Sequence, residues 1–277
     1  MQILPSDEYH KIGRLLEEVP FNKYFTYSVI DGDIDGTIYV DDVEDPRNAY
    51  ILHPYGMSLL IGDGKDEEFN SWLFPFLLDE GVNRRRDEWM QVHPGHWTEI
   101  IERALPGGIV RADGTTDDAL RDNIVAYGRT NFRFNEDRFR TFSEAFERAD
   151  VQVRRLDERT ADMVKGTVVP SAFWNSTHHF VRKGMGFSVF VDDAPVSTAF
   201  SAFVHGDAWE IGIETAAAHR RNGYAALAAI AFIENCLGNG LTPVWSCRTE
   251  NTGSYRLATK LGFEPTFQLP FYRLCRH

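Results

Sequence analysis

The chain has 277 residues, of which 43% are hydrophobic and 25% are charged, and its formal net charge is −12. The length favours two domains, and the composition is typical of a globular protein without extensive disorder. The negative charge argues against a nucleic-acid partner, because nucleic-acid-binding surfaces rely on cationic contacts to phosphates.

Several other classes of protein find no support in the sequence. No apolar run approaches the roughly 20 residues of a membrane-spanning helix, and the N-terminus does not resemble a signal peptide, so we expect a cytoplasmic protein without a membrane partner. The three cysteines include no Cys-x-x-Cys pair, which argues against a disulfide framework or a zinc ribbon. The paired histidines lack a third spaced ligand, so no metal is predicted at His93 and His96 or at His178 and His179.

The first 145 residues alternate between patterns of helices and strands. Ser6 is expected to cap a first helix that ends at Pro20. Apolar and β-branched runs then predict a meander of strands at 25–30, 36–40, 49–52 and 57–61. A helix is predicted over 67–78 despite Pro75, and short helical pieces follow.

A new pattern begins at Val151. Segment 151–156 predicts a strand and 157–164 a helix, and three strand candidates follow at 186–191, 195–203 and 208–215. The alanine-rich run 225–237 predicts a helix that stops at Gly238 and Gly240. A strand over 244–248, a helix over about 253–261 and a closing strand hairpin over 263–274 complete the chain.

The most informative segment joins the strand 208–215 to the helix 225–237. A helix N-terminus leaves its first N–H groups unpaired and carries partial positive charge, so it favours a bound phosphate. Gly223 lets the backbone approach a ligand without an obstructing Cβ, and Arg220 and Arg221 add cationic donors. The segment suits a pyrophosphate, although a solvated helix start is the simpler explanation when the segment is taken alone.

A second motif downstream changes that balance. A strand leads to an asparagine, a small residue follows three positions later, and the next helix ends in a Leu-Gly-Phe turn. Together with the Arg-x-x-Gly-x-Ala loop, this resembles the acetyl-CoA-binding module of the GNAT N-acetyltransferases. The residues that carry the resemblance are Arg220, Gly223, Ala225, Asn251, Ser254, Leu261, Gly262 and Phe263.

The resemblance covers about residues 150–277, where the predicted order β, α, β, β, β, α, β, α, β is that of the GNAT fold. It implies an α/β protein with an α+β mixed sheet, whose acetyl-CoA-binding catalytic domain spans residues 146–277. Residues 1–145 would form a further mixed α/β domain. Either a degenerate GNAT-like half or an unrelated substrate domain explains that first part.

The resemblance also implies which residues hold acetyl-CoA, the cosubstrate. Backbone groups at the end of the fourth GNAT strand would pair with the pantetheine arm, and amides from 221 to 226 would hold the pyrophosphate. Asn251 would hydrogen-bond the pantetheine, although it is equally suited to capping a helix. The predicted cofactor-binding residues are Ile213, Glu214, Thr215, Arg220, Arg221, Asn222, Gly223, Tyr224, Ala225, Ala226, Asn251 and Ser254.

Acetyl transfer also needs a base for the amine and a proton for the departing thiolate. Glu210 is the preferred base because a carboxylate on a central strand is unusual, although a structural ion pair explains it equally well. Many GNAT enzymes place a tyrosine acid where this chain has Ala258. Tyr255 is the nearest phenol in sequence, on a different helical face, and the further candidates are water, Tyr224, Cys247 and Tyr272.

We therefore predict an N-acetyltransferase that moves an acetyl group from acetyl-CoA to a primary amine by direct attack in a ternary complex. The first alternative is a non-catalytic acyl-CoA-binding or sensor protein, which Ala258 favours. The second is a structural module that pairs through its aromatic-rich first half. The predicted partner is a small-molecule amine, and the resemblance also allows a homodimer.

Overall fold

The strands form two mixed sheets, of which the larger contains strands from both halves of the chain. The computed structural model describes residues 1–81, 84, 86–112, 124–146 and 151–276. The first half contains β1 (Gln2–Ile3), a 3₁₀ helix (Ser6–Ile12), α1 (Gly13–Glu17), α2 (Tyr24–Ile30), β2 (Thr37–Val40), β3 (Asn48–His53), β4 (Met57–Gly62), α3 (Glu67–Leu77), β5 (Glu88–His93), α4 (His96–Ala104), β6 (Ile109–Arg111), β7 (Ile124–Phe134) and α5 (Glu136–Ala145).

The second half begins after residue 150. It contains β8 (Gln152–Arg155), α6 (Glu158–Asp162), a 3₁₀ helix (Pro170–Ala172), α7 (Thr177–Lys183), β9 (Gly186–Val191), β10 (Ala194–His205), β11 (Ala208–Thr215), a 3₁₀ helix (Ala217–His219), α8 (Tyr224–Gly238), β12 (Thr242–Val244), β13 (Ser246–Arg248), α9 (Thr252–Lys260) and β14 (Phe263–Leu274).

The last strands of the two halves, β7 and β14, exchange places within the larger sheet. In the described part of the chain, the larger sheet has the order β1-β2-β3-β4-β5-β14-β7-β13, with β6 beside β7, and the smaller sheet has the order β12-β11-β10-β9-β8. The last strand, β14, thus lies between two strands of the first half, and β13 pairs with β7. Hydrogen-bonded pairing therefore crosses the position 145/146 at which the sequence suggests a domain boundary.

The same order of elements occurs in both halves. A short first strand is followed by helices, three antiparallel strands, a helix, a parallel strand, a further helix and a long last strand. The fourth and fifth strands of each repeat are parallel, as β4 and β5 in the first half and β11 and β12 in the second. This repetition favours the GNAT-like explanation of residues 1–145 over an unrelated domain.

The structure corrects the prediction of a strand at 25–30, which forms helix α2. Residues 25, 26, 28 and 29 are buried, a spacing that matches one face of a helix rather than of a strand. Phe25 packs against Phe203 of β10 with ring centroids 6.2 Å apart. Packing of the helix face against the smaller sheet therefore outweighs the strand preference of these aromatic and β-branched side chains.

Two further local predictions were wrong. The first helical segment begins with a 3₁₀ helix that follows Pro5 and has no side-chain cap, so Ser6 does not cap it. Segment 263–274 is a single strand rather than a hairpin, because β7 supplies its partner. The strands predicted at 36–40, 49–52 and 57–61 and the helix over 67–78 are confirmed. The element order of the second half is also found, with two differences: the predicted strand 244–248 is divided between β12 and β13, and α7 is an additional helix before β9.

One hydrophobic core belongs to both halves. It combines α1, α2 and β2 to β4 of the first half with side chains of the second half, including Leu156, Phe173, Phe200 and Val204. Two other cores lie under α8 and α9 and under α3 and α4. None of the helices in the described ranges is both long enough and apolar enough to span a bilayer.

Candidate functional site

Helix α8 begins without a side chain that caps its N-terminus. Gly223 holds the N-cap position with a φ of +80°, and Arg221 also has a positive φ, +67°. Gly223 is required here for its conformation and for space, because a Cβ would lie 3.1 Å from the ring of Phe146. The first turn contains no acidic residue, so its free amides and partial positive charge suit an anion.

The strand before this loop has an open edge. Strands β11 and β12 pair only from Ala208 with Thr242 to Glu210 with Val244, and β13 then turns to β7. The last residues of β11, Ile213 to Thr215, pair on their other side with β10. Among the described residues no strand pairs with the edge opposite β10, although Nε of Arg220 donates to the carbonyl of Thr215 at 3.2 Å. This edge offers backbone donors and acceptors to an extended ligand arm.

These elements enclose a cavity of about 520 Å³ with a cationic lining. Its walls carry four Lys or Arg side chains and one acidic side chain, although the chain as a whole has 29 basic and 41 acidic residues. The cavity is lined by Phe142, Phe146, Ile213, Glu214, Thr215, His219, Arg220, Arg221, Gly223, Tyr224, Ala225, Ala226, Asn251, Gly253, Ser254, Arg256, Leu257 and Lys260. The cavity therefore collects all of the predicted cofactor-binding residues except Asn222, whose side chain donates to the carbonyl of His219 at 3.3 Å.

The carboxylate of Glu214 connects the cavity to a loop of the second half. Its Oε2 accepts hydrogen bonds from the backbone N–H of Thr167 at 2.9 Å and of Val168 at 3.0 Å, and its Oε1 lies 3.9 Å from Arg220. Gly166 packs so closely that a Cβ would lie 2.6 Å from the Glu214 side chain. The side chain thus anchors this loop while its backbone lines the cavity.

Asn251 and Ser254 lie at the opposite wall of the cavity. The side-chain oxygen of Asn251 accepts from the backbone N–H of Ser254 at 3.1 Å and so caps α9. The hydroxyl of Ser254 accepts from the indole N–H of Trp245 at 3.1 Å. The capping role that the sequence left open for Asn251 is confirmed, and its side-chain NH₂ group keeps two donors for a ligand.

Glu210 is buried, with 5% of its surface exposed, and is held by side chains from other strands. Its Oε1 accepts from the Ser246 hydroxyl at 2.7 Å and lies 3.5 Å from Nη2 of Arg129. Burial raises the pKa of Glu210 above its ordinary value, while Arg129, Ser246 and Asn22 partly offset that rise. The carboxyl group combines an ion pair with the raised pKa of a candidate base.

The candidate acids lie in different places. Tyr224 lines the cavity, whereas the ring of Tyr255 packs against Phe132 with centroids 5.4 Å apart and is not part of the cavity wall. Tyr272 is buried and donates to Thr98 at 3.0 Å in the first-half core. Burial also raises the pKa of Cys247. Ala258 is fully buried, so no hydroxyl comes from the position where the family often has tyrosine.

The corresponding place in the first half has a smaller cavity, of about 260 Å³. Its lining residues are Arg14, Leu15, Glu18, Arg47, Gly62, Asp63, His93, Pro94 and His96. Strands β4 and β5 stay paired as far as Ile61 with His93, and the indole of Trp97 donates to the carbonyl of Gly62 at 3.0 Å. Helix α3 is capped by the side chain of Asp66 and has two glutamates in its first turn. The acidic start of α3 and the filled strand edge do not suit an anionic cofactor.

The histidines are occupied by other contacts. His178 lies 2.7 Å from Glu158, and His179 lies 2.8 Å from Asp33. Nε2 of His96 lies 3.1 Å from the carbonyl of Asp63. Among the described residues, no group of three or more His, Cys, Asp or Glu side chains could hold a metal ion.

Sequence reasoning missed the contribution of the first half to the site. Phe142 and Phe146, which stack with centroids 5.1 Å apart, form an aromatic wall of the cavity. Arg129 reaches Glu210 from β7. Local patterns carry no signal for these contacts, because they depend on how β7 and α5 pack on the second half.

Comparisons with known proteins agree with this geometry. Residues 14–272 match the model of the GNAT acetyltransferase family. The chain is 25% identical to the uncharacterised N-acetyltransferase YdfB of Bacillus subtilis strain 168 over 277 residues, which covers 98% of each chain.

Solved structures share the fold. A GCN5-related N-acetyltransferase-like protein from Streptococcus suis 89/1591 superposes with a TM-score of 0.70 at 19% identity, covering 96% of this chain and 98% of that one. A tandem GNAT protein from the clavulanic acid biosynthesis pathway gives a TM-score of 0.59 at 11% identity, covering 98% of this chain and 96% of that one. The chain therefore belongs to the GNAT acetyltransferase family and is an acyltransferase.

Proposed function

We propose that the chain transfers an acetyl group from acetyl-CoA to a primary amine. The observation that carries the proposal is the cationic cavity at the uncapped start of α8, beside the open edge of β11. The pyrophosphate of CoA is an anion whose oxygens accept several hydrogen bonds, so it matches both the charge and the free amides of this site.

The arms of the cofactor have matching places in the cavity. The sequence predicted that amides from Arg221 to Ala226 hold the pyrophosphate, but the N–H of Ala226 donates to the carbonyl of Gly223 at 3.0 Å. The amides from Arg221 to Ala225 would therefore hold it, with Arg220 at its side. The open edge from Ile213 to Thr215 would pair with the amides of the pantetheine arm. The NH₂ group of Asn251, which also lines the cavity, would be a further donor to the pantetheine, and Ser254 lies one helical turn beyond it.

Transfer would proceed by direct attack of the amine in a ternary complex. The amine nitrogen forms a bond to the acetyl carbon, the bond from that carbon to sulfur breaks, and the products are the acetylated amine and CoA. Glu210 is buried and does not line the cavity, so it would accept the amine proton through water. A backbone N–H near Ile213 is the proposed donor to the thioester carbonyl.

The thiolate needs a proton but only a weak acid. Tyr224 lies on the cavity wall and is the phenol best placed to supply it, whereas Tyr255 packs against Phe132. A CoA thiol is a much better leaving group than an alcohol, so water also suffices. The absence of a tyrosine at Ala258 is therefore compatible with transfer.

A non-catalytic acyl-CoA sensor is the second candidate, and Ala258 is the observation that favours it. A panel of primary amines, incubated with acetyl-CoA and the chain, separates the two functions. We expect at least one amine to release free CoA thiol and to gain the mass of one acetyl group. If acetyl-CoA stabilised the chain while no amine in a broad panel released thiol, the sensor function would replace transfer.

A further inference from the structure

A buried polar network joins the two halves of the chain where β11 and β12 stop pairing. Asn22, between α1 and α2, donates through its side chain to the Ser246 hydroxyl at 3.0 Å and through its backbone to Oδ1 of Asn131 at 3.0 Å. Nη2 of Arg129 donates to the same hydroxyl at 2.6 Å. Ser246 in turn contacts Glu210 at 2.7 Å. Two strands and a loop thus converge on one carboxyl group.

The network fixes the direction of the Ser246 hydroxyl. The NH₂ group of Asn22 and the guanidinium of Arg129 can only donate, so the serine oxygen accepts from both. Its own hydrogen is then directed to Oε1 of Glu210. The other carboxylate oxygen, Oε2, is buried and has no hydrogen-bond partner within the described residues. Oε2 is therefore the oxygen that can take up a proton.

A carboxyl group buried this deeply stays protonated unless a cation compensates its charge. Glu210 and Arg129 expose only 5% and 6% of their surfaces. The other titratable groups close to this pair are Tyr24 of α2, Tyr55 between β3 and β4, and Cys247 of β13. Of these neighbours, Arg129 alone can carry a positive charge.

We propose that Arg129, a residue of the first half, is a positioning residue that orients the carboxylate of Glu210 and keeps it ionised as the proton acceptor. The inference rests on the proposed function, since it takes Glu210 as the base. The pairing of β7 with β13 would then have a chemical role, because β7 brings the guanidinium of Arg129 next to Glu210 of the second half. The first half would thereby contribute a residue to the active site of the second half, although the acidic start of its own α3 does not suit an anionic cofactor.

The variants Arg129→Met and Arg129→Lys test this inference. Methionine keeps the apolar stem but removes the charge. Lysine keeps the charge but loses the planar guanidinium, whose Nη2 contacts both Ser246 and Glu210. With the amine that releases most thiol in the panel, we expect Arg129→Met to lower kcat/KM and to move the acid limb of its pH profile upward by about one to three pH units. The acid limb of the pH profile of Arg129→Lys should move less than that of Arg129→Met.

The matched control is Arg133→Met on the same strand, where the side chain is 74% exposed and pairs with Glu264 at 2.9 Å. Its pH profile should equal that of the wild type. Both Arg129 variants should bind CoA as the wild type does, because Arg129 does not line the cavity. If Arg129→Met does not fold, the double variant Arg129→Met with Glu210→Gln removes both buried charges and should restore the fold.

The outcomes separate the inference from the proposed function. A wild-type acid limb in a folded Arg129→Met variant, together with strong loss of transfer in Glu210→Gln, would overturn the inference and leave the function intact. Unchanged transfer in Glu210→Gln would reject Glu210 as the base and the role of Arg129 with it. The double variant Arg129→Met with Glu210→Gln should lose no more transfer activity than Glu210→Gln alone. That result would support the base role of Glu210 and the positioning role of Arg129, because the two residues then act through one group.

Discussion

At the scale of single residues, the proposed proton transfer depends on the charge of Glu210. Its alternation with Gly212 and Glu214 along one strand was visible in the sequence, and the structure confirms its burial. The sequence left two roles open for Glu210, a structural ion pair and a catalytic base. The structure is compatible with both, because Glu210 has an ion-pair partner and also an oxygen without a hydrogen-bond partner among the described residues. Arg129 was not predictable, since 81 residues separate it from Glu210 and their contact exists only through the exchanged strand.

Replacing Glu210 with Gln should separate catalysis from binding. We expect kcat to fall about 100-fold or more, the size of a general-base effect, with little change in the dissociation constant of CoA. Glu234→Gln, at an exposed position of α8, is the matched control and should keep full activity. Equal losses in transfer and in CoA binding would make Glu210 a structural residue.

The same substitution has a pH-dependent effect on stability. Because the folded pKa of Glu210 lies above its unfolded value, the stability from its protonated form is present at pH values below the unfolded pKa and is lost as pH rises through the folded pKa. Glu210→Gln should therefore gain stability relative to the wild type as pH rises. Denaturant unfolding at several pH values measures this difference, and a difference that is constant with pH would contradict the raised pKa.

At the scale of elements, the contrast between α8 and α3 explains where a cofactor can bind. Both helices follow the fourth strand of a repeat, but α8 has a glycine cap and a basic loop, whereas α3 has an aspartate cap and acidic residues. The sequence showed this difference directly, because caps and first-turn charges are local features. Helix α2 was mistaken for a strand because its burial is decided by contact with β10, which lies about 170 residues away.

Helix α9 extends the cationic wall of the cavity with Arg256 and Lys260. Changing either residue to alanine should weaken CoA binding about two- to fivefold, since an exposed ion pair contributes up to ~1 kcal/mol. The loss should shrink at high ionic strength, where such pairs are screened. Calorimetric titration of CoA at low and high salt measures both effects. Lys65→Ala, an exposed lysine of the first half, is the control, and equal weakening by all three variants would argue against a local role for α9.

At the scale of the whole molecule, the two halves are joined by a shared core, by strand pairing and by ion pairs. They share a core and exchange β7 and β14, and Asp33 of the first half binds Lys183 of the second at 2.6 Å and 2.9 Å. The order of elements within residues 146–277 was predictable from the sequence. The exchange was not, because strand patterns do not specify which partner a strand will pair with.

A fragment of residues 146–277 should therefore fail to fold as a stable monomer. Without β7, strands β13 and β14 lose their described partner along one edge and would be exposed to association. We expect aggregation or a missing cooperative transition in size-exclusion and thermal-unfolding measurements, and recovery of a soluble complex on coexpression with residues 1–145. A monomeric fragment that unfolds cooperatively and binds CoA would show that 146–277 is an independent domain.

The central claim is that the loop before α8 holds the pyrophosphate of acetyl-CoA. Thermal unfolding of the wild type, Gly223→Glu and Gly238→Glu with acetyl-CoA tests it most directly. At about 100 times its dissociation constant, the cofactor should stabilise the wild type by ~2.7 kcal/mol. Gly238→Glu, at the far end of the same helix with open space around it, should keep that shift. Gly223→Glu should lose it, because bulk and negative charge then face the phosphates. No shift in the wild type, or an equal shift in Gly223→Glu, would contradict the account.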